Sequence, residues 1–439
     1  MKPISGFSKM SKVEKIDYIV ENILKGDNRS KELIKSFWHS NDKLQSVLDD
    51  FSENTLTNFY FPFGVMPNLM INGQLYCVPM AIEESSVVAA ASKSAKYWLE
   101  RGGFKADVVD MKKIGQVHLY WPGKASKLIE FFTSKIDILR EACAPITANM
   151  EKRGGGLLDL ELRDKTDLDE SYFQIWASFN TVDAMGANFI NSVLERLGKS
   201  FRALVFEEES FTGYEKDLQV VMAILSNYTP ECLVRATVEC PIEMLEDKNV
   251  GMSPEEFARK FERAVRISRM DVNRATTHNK GIFNGIDAVI LATGNDFRAI
   301  EACGHTFAAR DGQYRGLTTC SIKDGMFNFT LEIPMALGTV GGLTSLHPMA
   351  KFSLELLGKP DAAELMKIVA CSGLAQTFAA VRSLVTSGIQ KGHMKMHLMN
   401  ILNHLEASDD EREKVRDKFE EEIISFNGIR DYLQELRNY

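Results

Sequence analysis

Residues 274–296, reading Arg-Ala-Thr-Thr-His-Asn-Lys-Gly-Ile-Phe-Asn-Gly-Ile-Asp and running on through Leu-Ala-Thr-Gly-Asn-Asp, hold the densest set of side chains able to do chemistry. Arg274, His278, Asn279, Lys280, Asn284 and Asp296 bring a guanidinium, an imidazole, two amides, an ammonium and a carboxylate. An ammonium shielded from water stabilises a developing oxyanion, and a guanidinium grips a carboxylate with two parallel hydrogen bonds. Gly281, Gly285 and Gly294 would let backbone come close to a ligand. A solvated loop with a glycine-marked turn carries similar residues. The uncharged apolar run 288–292 argues instead that the polar groups flank a buried element.

Three further places offer chemistry. Glu83 and Glu84 follow a run, 75–82, that reads as a buried strand after an Asn72-Gly73 turn, and they precede a helix with a small-residue face from Val87 to Ser92. They could form a paired-acid site; ordinary first-turn glutamates favoured by a helix dipole look the same. Val182-Asp183-Ala184-Met185-Gly186-Ala187-Asn188 predicts a tight glycine turn into a helix, an arrangement that cradles a pyrophosphate because free backbone N–H groups point outward there. Without Gly-x-Gly-x-x-Gly it does not indicate a Rossmann fold. Gly154-Gly155-Gly156 reads equally as a second point of backbone approach or as a loop. His393, between Gly392 and Met394 at a helix junction, is a candidate proton donor, since imidazole titrates near neutrality.

The elements that must position these groups are legible in outline. Ser11 and Glu14 have capping-box spacing and open a helix over 11–25, and a second amphipathic segment covers 31–51. Beyond Ala106, alternation predicts strands through 119, a helix over 127–142, strands at 157–162 and 172–179, and a helix over 189–197. Ser253-Pro254-Glu255-Glu256 starts a helix that leads into the polar stretch. After Asp296 come a helix over 297–309, strands at 314–322 and 326–333, a loop with Gly338, Gly341 and Gly342, and helices over 362–386 and 394–405. The last 30 residues read as a solvated helix pair.

With 439 residues, the chain has room for two or three domains and a core that excludes water from a site. Its 45% hydrophobic and 26% charged residues are ordinary for a soluble globular protein. No apolar run approaches the roughly 20 residues of a membrane span, and Lys12, Glu14, Lys15 and Asp17 break any signal-peptide core, so a cytoplasmic protein is expected. The seven cysteines are scattered, odd in number and without a Cys-x-x-Cys pair, which argues against a disulfide framework and a thiolate zinc site. A net charge of −8 gives no general reason to bind nucleic acid or an anionic membrane.

Taken together, Glu84, the stretch 183–188, Thr277-His278-Asn279-Lys280-Gly281, Thr293-Gly294-Asn295-Asp296 and Gly392-His393-Met394 resemble the soluble, bacterial-type (class II) 3-hydroxy-3-methylglutaryl-CoA (HMG-CoA) reductases across nearly the whole chain. The resemblance implies reduction of HMG-CoA to mevalonate and free CoA by two hydride transfers from a nicotinamide cofactor, or the reverse. It implies Glu84 as general acid, Lys280 as the carbonyl-polarising cation, Asp296 as the aspartate that tunes both, and His393 as the proton donor to the departing CoA thiolate. Ser86, Arg274, Asn284 and Gln376 match residues that contact the HMG end or order its pocket. Asp183, Met185, Gly186 and Asn188 match the cofactor pyrophosphate loop, and His278 becomes structural.

The resemblance further implies an α/β (α+β) protein, a homodimer or dimer-based oligomer with a shared active site. Residues 1–106 and 223–384 would form a large HMG-CoA domain around a central helix. Residues 107–222 would form an inserted ferredoxin-like NAD(P) domain, and 385–439 a helical flap carrying His393. Asp159 matches a position where an acid meets the adenosine ribose and repels a 2′-phosphate, which favours NADH over NADPH. The chain departs from the family at Glu53-Asn54-Thr55-Leu56-Thr57, where many members have Glu-Asn-Val-Ile-Gly, and at Ser8, where some offer an arginine to CoA phosphate; Lys9 lies beside it. A reductase of another acyl-CoA and a non-catalytic CoA-binding relative are the competing functions.

Overall fold

The computed structural model describes residues 3–246, 251–386, 398–399, 401–419 and 425–437. The Ser11 hydroxyl accepts from the Glu14 N–H while the Glu14 carboxylate accepts from the Ser11 N–H, and this reciprocal cap opens α1 (Lys12–Asn22). The segment expected as one helix over 31–51 is two, α2 (Asn28–Ser36) and α3 (Asp42–Asp49). The break has a local cause: the Asn41 side chain accepts from the Leu44 N–H and starts a new helix.

Asn72 and Gly73, both at positive φ, turn β1 (Phe63–Ile71) back into β2 (Gln74–Ala81). Past Glu83 and Glu84 comes α4 (Val87–Leu99), whose N-cap Ser86 is itself left-handed, so the glutamates precede the helix and do not occupy its first turn. After β3 (Lys105–Val108) the chain makes β4 (Lys113–Tyr120), α5 (Ala125–Glu151), β5 (Gly156–Asp164), β6 (Tyr172–Asn180), α6 (Ala187–Glu207) and β7 (Gln219–Leu225). The strands lie in the order β5-β6-β4-β7, all antiparallel, which is the βαββαβ ferredoxin-like arrangement. Phe131, Phe132 and Phe201 from its two helices pack on Val117, Leu119, Phe173 and Ile175 of the sheet. Gly155 is held by that sheet: a Cβ there would come 2.5 Å from the Asn180 carbonyl oxygen.

The chain then returns to a second four-stranded sheet, β3-β8-β10-β9, through β8 (Leu233–Pro241), α7 (Pro254–Met270), α8 (Val272–Ala292), α9 (Phe297–Ala308), β9 (Thr318–Lys323) and β10 (Met326–Pro334). Because β3 pairs with β8, the strands on either side of the ferredoxin-like unit are neighbours, and the unit is an insertion. Helices α10 (Gly342–Leu346), α11 (Pro348–Leu356) and α12 (Ala362–Val385) complete this part.

At the centre of the larger part, α8 packs against α12. Here the structure corrects two expectations. The run 288–292 is buried between polar residues, as expected, but it is no separate element: from Val272 through Ala292 the stretch is one continuous helix, with Ile282, Phe283, Ile286, Val289 and Ile290 in the core. Gly285 serves helix packing and not ligand approach, since a Cβ there would lie 2.5 Å from the Ser372 carbonyl oxygen and 2.8 Å from Gln376 Cβ. In addition, α12 is long and apolar enough to cross a membrane, contrary to the expectation from its run lengths; 67% of that stretch is buried against protein, as in a core helix. The terminal helices Asp409–Lys418 and Phe426–Arg437 are likewise more than a solvated pair, because Val415, Phe419, Ile429 and Leu433 share a small core with Leu398, Ile401 and Leu402.

Candidate active site

Three elements converge on a cleft of about 740 Å³. The junction of β2 and α4 supplies Glu84 and Ser86, α12 supplies Gln376, and α8 supplies Arg274, Thr277, Lys280 and Asn284. Spacings of three and four residues put the α8 side chains on one face of the helix. Lys280 Nζ forms an ion pair with Glu84 Oε2. The two side chains remain 59% and 37% exposed, so their pairing adds little to stability and both stay within reach of a ligand.

The walls of this cleft are unusually short of hydrogen bonds. Among the described residues, seven buried side-chain polar atoms lack a hydrogen-bond partner, and four of them, Ser86 Oγ, Ser94 Oγ, His278 Nδ1 and Gln376 Oε1, belong to residues lining the cleft. Buried polar atoms are nearly always paired, so this clustering marks a surface shaped for a polar ligand. Arg274 is half-buried, and burial with no offsetting acid pushes its guanidinium below the ordinary value. Such a cation favours an anionic ligand. His278 is buried, with Nε2 2.6 Å from Thr318 Oγ1, and burial together with Arg274 pushes its pKa down to about 3. It is neutral at physiological pH and has a structural partner, as expected. Ser94 escaped the sequence reading; its only signal is the four-residue spacing from Ser86 through Ala90 on α4.

A second cavity, of about 1130 Å³, is lined by Met185, Gly186 and Asn188 together with Asp296 and Gly338. Gly186 caps α6 at φ 93° without any side-chain cap, so the first N–H groups of that helix are left for a ligand. The backbone before it is strained, with the β-branched Val182 at φ 49°. A Cβ on Gly338 would sit 2.5 Å from the Met185 nitrogen and cover it. Asp183 turns to the protein instead: Oδ1 accepts from the Ala362 N–H at 2.9 Å, and its carbonyl accepts from the Thr339 N–H at 2.8 Å. It anchors the turn to α12 and does not line the cavity.

Asp296 caps α9, accepting from the backbone N–H groups of Arg298 at 3.1 Å and Ala299 at 3.2 Å. It therefore borders the second cavity, away from Lys280. The rise of α8 alone separates Lys280 from Ala292 by about 18 Å. Asp159 is exposed on β5, where its Oδ2 accepts from Ser178 Oγ at 3.2 Å, and it borders neither cavity. His393 lies outside the described residues.

The α+β scaffold thus carries two concave sites, one lined by Arg274, Lys280 and Glu84 and a separate one at the open N-terminus of α6. Comparison with known proteins gives the family. The family model described as hydroxymethylglutaryl-coenzyme A reductase matches residues 14–398, and the chain belongs to that family. It is 36% identical to the 3-hydroxy-3-methylglutaryl-coenzyme A reductase of Archaeoglobus fulgidus, over 99% of this chain and 95% of the relative. It is 34% identical to a probable enzyme of the same name from Borreliella burgdorferi, over 100% and 98%. The solved 3-hydroxy-3-methylglutaryl-coenzyme A reductase of Streptococcus pneumoniae superposes with a TM-score of 0.72 at 35% identity, covering 99% of this chain and 100% of that one. The class II enzyme of that organism bound to NADPH in open conformations gives 0.71 at 37% identity, covering 88% and 100%.

Proposed function

We propose that this protein is an HMG-CoA reductase, converting HMG-CoA to mevalonate and CoA by two hydride transfers, or running the reverse. The observation that carries this is the Lys280–Glu84 ion pair, set among unpaired buried polar atoms in a chain of this family. When bound, the nicotinamide cofactor supplies hydride. Lys280 stabilises the negative charge that grows on the thioester oxygen, and Glu84 supplies the proton. Arg274 pairs with the terminal carboxylate of the HMG group, while Ser86, Asn284 and Gln376 hydrogen-bond its polar atoms and fix its orientation. His393 protonates the CoA thiolate as it leaves. The backbone from Met185 to Asn188 holds the cofactor diphosphate.

Lys280 and Asp296 of one chain line different cavities, the first midway along α8 and the second beyond its end. We place Asp296 of a second copy at the Lys280 of the first, so that the working enzyme is a dimer with shared sites. The division into a large domain (1–106 and 223–384), a cofactor domain (107–222) and a terminal flap (385–439) belongs to the same proposal. NADH is the preferred cofactor on the strength of Asp159, whose carboxylate accepts from a ribose hydroxyl and repels a 2′-phosphate. The Streptococcus pneumoniae enzyme, by contrast, binds NADPH.

The test follows the near-ultraviolet absorbance of reduced nicotinamide with HMG-CoA, free CoA and a panel of acyl-CoAs. Turnover of HMG-CoA is expected. Faster turnover of another thioester would favour a different acyl-CoA reductase, and none at all would favour a CoA-binding protein.

A further inference from the structure

Lys113, 1% exposed, is the most deeply buried lysine among the described residues, and it forms none of their ion pairs. Burial pushes its ammonium below the ordinary range, offset in part by Cys232 and then by Asp183. A buried cation without a paired carboxylate is expensive and calls for a specific use. Its surroundings provide one. Lys113 Nζ donates to Thr181 Oγ1 at 2.5 Å and to the Ala184 carbonyl oxygen at 2.8 Å, and Thr181 Oγ1 donates to the same carbonyl at 2.6 Å. Both contacts fall on the turn that ends at Gly186 and lines the second cavity.

The Ala184 carbonyl shares its peptide plane with the Met185 N–H. In a trans peptide these two groups point in opposite directions, so drawing the carbonyl inward to Lys113 turns the N–H away from it, toward the segment 338–340 with which Ala184 forms a parallel bridge. That nitrogen is the atom a Cβ on Gly338 would cover at 2.5 Å. A cation on the carbonyl side also polarises the peptide and strengthens its N–H as a donor, and its charge is poorly screened inside the protein.

We propose that Lys113 is a positioning residue for the cofactor: its buried ammonium holds the Ala184 carbonyl, and with it the turn that opens α6, and adds positive charge behind the diphosphate cradle. This rests on the assignment of the turn as the cofactor loop. The charge, and not merely the tether, does the work.

Two variants separate charge from tether. Lys113→Met keeps most of the length and loses both charge and donor; Lys113→Gln keeps an N–H donor and loses only the charge. Calorimetric titration with ADP-ribose, which carries the diphosphate, and with adenosine, which does not, reads binding without catalysis. In both variants ADP-ribose binding is expected to weaken about 10-fold or more, and the KM for the reduced cofactor to rise in parallel. Adenosine binding, the KM for HMG-CoA and kcat at saturating cofactor should stay within about 2-fold of wild type. Wild-type ADP-ribose affinity in Lys113→Gln overturns the role of the charge, even if Lys113→Met fails to fold. Gly186→Val tests the assignment beneath it: if that variant binds ADP-ribose normally, the turn is not the cofactor loop; if it loses binding while Lys113→Gln does not, only the inference about Lys113 fails.

Discussion

The sharpest consequence of the helix that carries Lys280 and ends beside Asp296 is a prediction about mixed dimers. Lys280→Ala should lose about 100- to 1,000-fold in kcat, the usual effect of removing one group that stabilises a developing oxyanion, and Asp296→Asn, which removes the aspartate that tunes Lys280 and Glu84, should lose about as much. If one site takes Lys280 from one chain and Asp296 from the other, both mutations in a mixed dimer fall in the same site and leave the second site intact. Random reassociation of equal amounts makes half the molecules mixed, and half the sites in those are whole, so about 25% of wild-type activity should return in a two-fold symmetric dimer. The assay is HMG-CoA-dependent oxidation of reduced cofactor after co-refolding or co-expression, with two affinity tags to isolate the mixed species. In the purified mixed dimer the expectation doubles to about 50%. Activity of the mixed dimer no higher than that of either parent would refute the reasoning, because it would mean that the two residues serve the same chain's site despite the length of α8.

Other expectations follow from single residues. His393→Gln should hurt HMG-CoA reduction far more than mevaldehyde reduction, since only the first expels a thiolate; equal loss on both substrates would remove its role as thiolate acid. Asp159→Ala should lower the ratio of kcat/KM for NADH to that for NADPH, and an unchanged ratio would detach Asp159 from cofactor choice. Gly285→Ala forces a Cβ to 2.5 Å from the Ser372 carbonyl and should cost about 1–3 kcal/mol of stability in urea titration; a neutral result would show that α8 and α12 can separate freely. Burial and Glu301 raise the Asp287 carboxyl from 3.8 to about 8. Between those values the folded state keeps a proton that the unfolded state has released, so stability falls as pH rises, by up to about 1.4 kcal/mol per pH unit, and levels off above the raised value. Asp287→Asn should flatten that slope and raise Tm on the alkaline side; an unchanged slope would assign the pH dependence elsewhere.

What could be read from residue order divides by the range of the forces involved. Local signals translated directly: the Ser11–Glu14 cap, the Asn72-Gly73 turn and the Ser253-Pro254 helix start all depend on atoms a few residues apart. So did the Gly186 turn, where one left-handed residue opens α6. The cleft calls for long-range information. Ser86, Lys280 and Gln376 meet only because α4, α8 and α12 pack together, which no spacing encodes; family resemblance named them together beforehand. The glycines of α8 misled because tolerance of close approach does not say whether a ligand or another helix approaches. Asp183 and Asp296 were legible as acids next to turns, but not as caps, since their partners at Ala362 and Ala299 depend on backbone direction. Lys113 gave no signal, because a lysine in a strand looks solvated until the turn above it closes.

In the proposed dimer, the uninterrupted helix α8 would make the two catalytic centres mechanically dependent on each other. One rod, pinned at Gly285 by contact with α12, bears Lys280 on one side of the pin and the approach to Asp296 on the other. Tilting it to improve one centre levers the other out of register, so tuning by small helix movements is closed to this architecture. Adjustment falls instead to the parts away from the rod, and substitutions near the pin should damage both centres in equal measure.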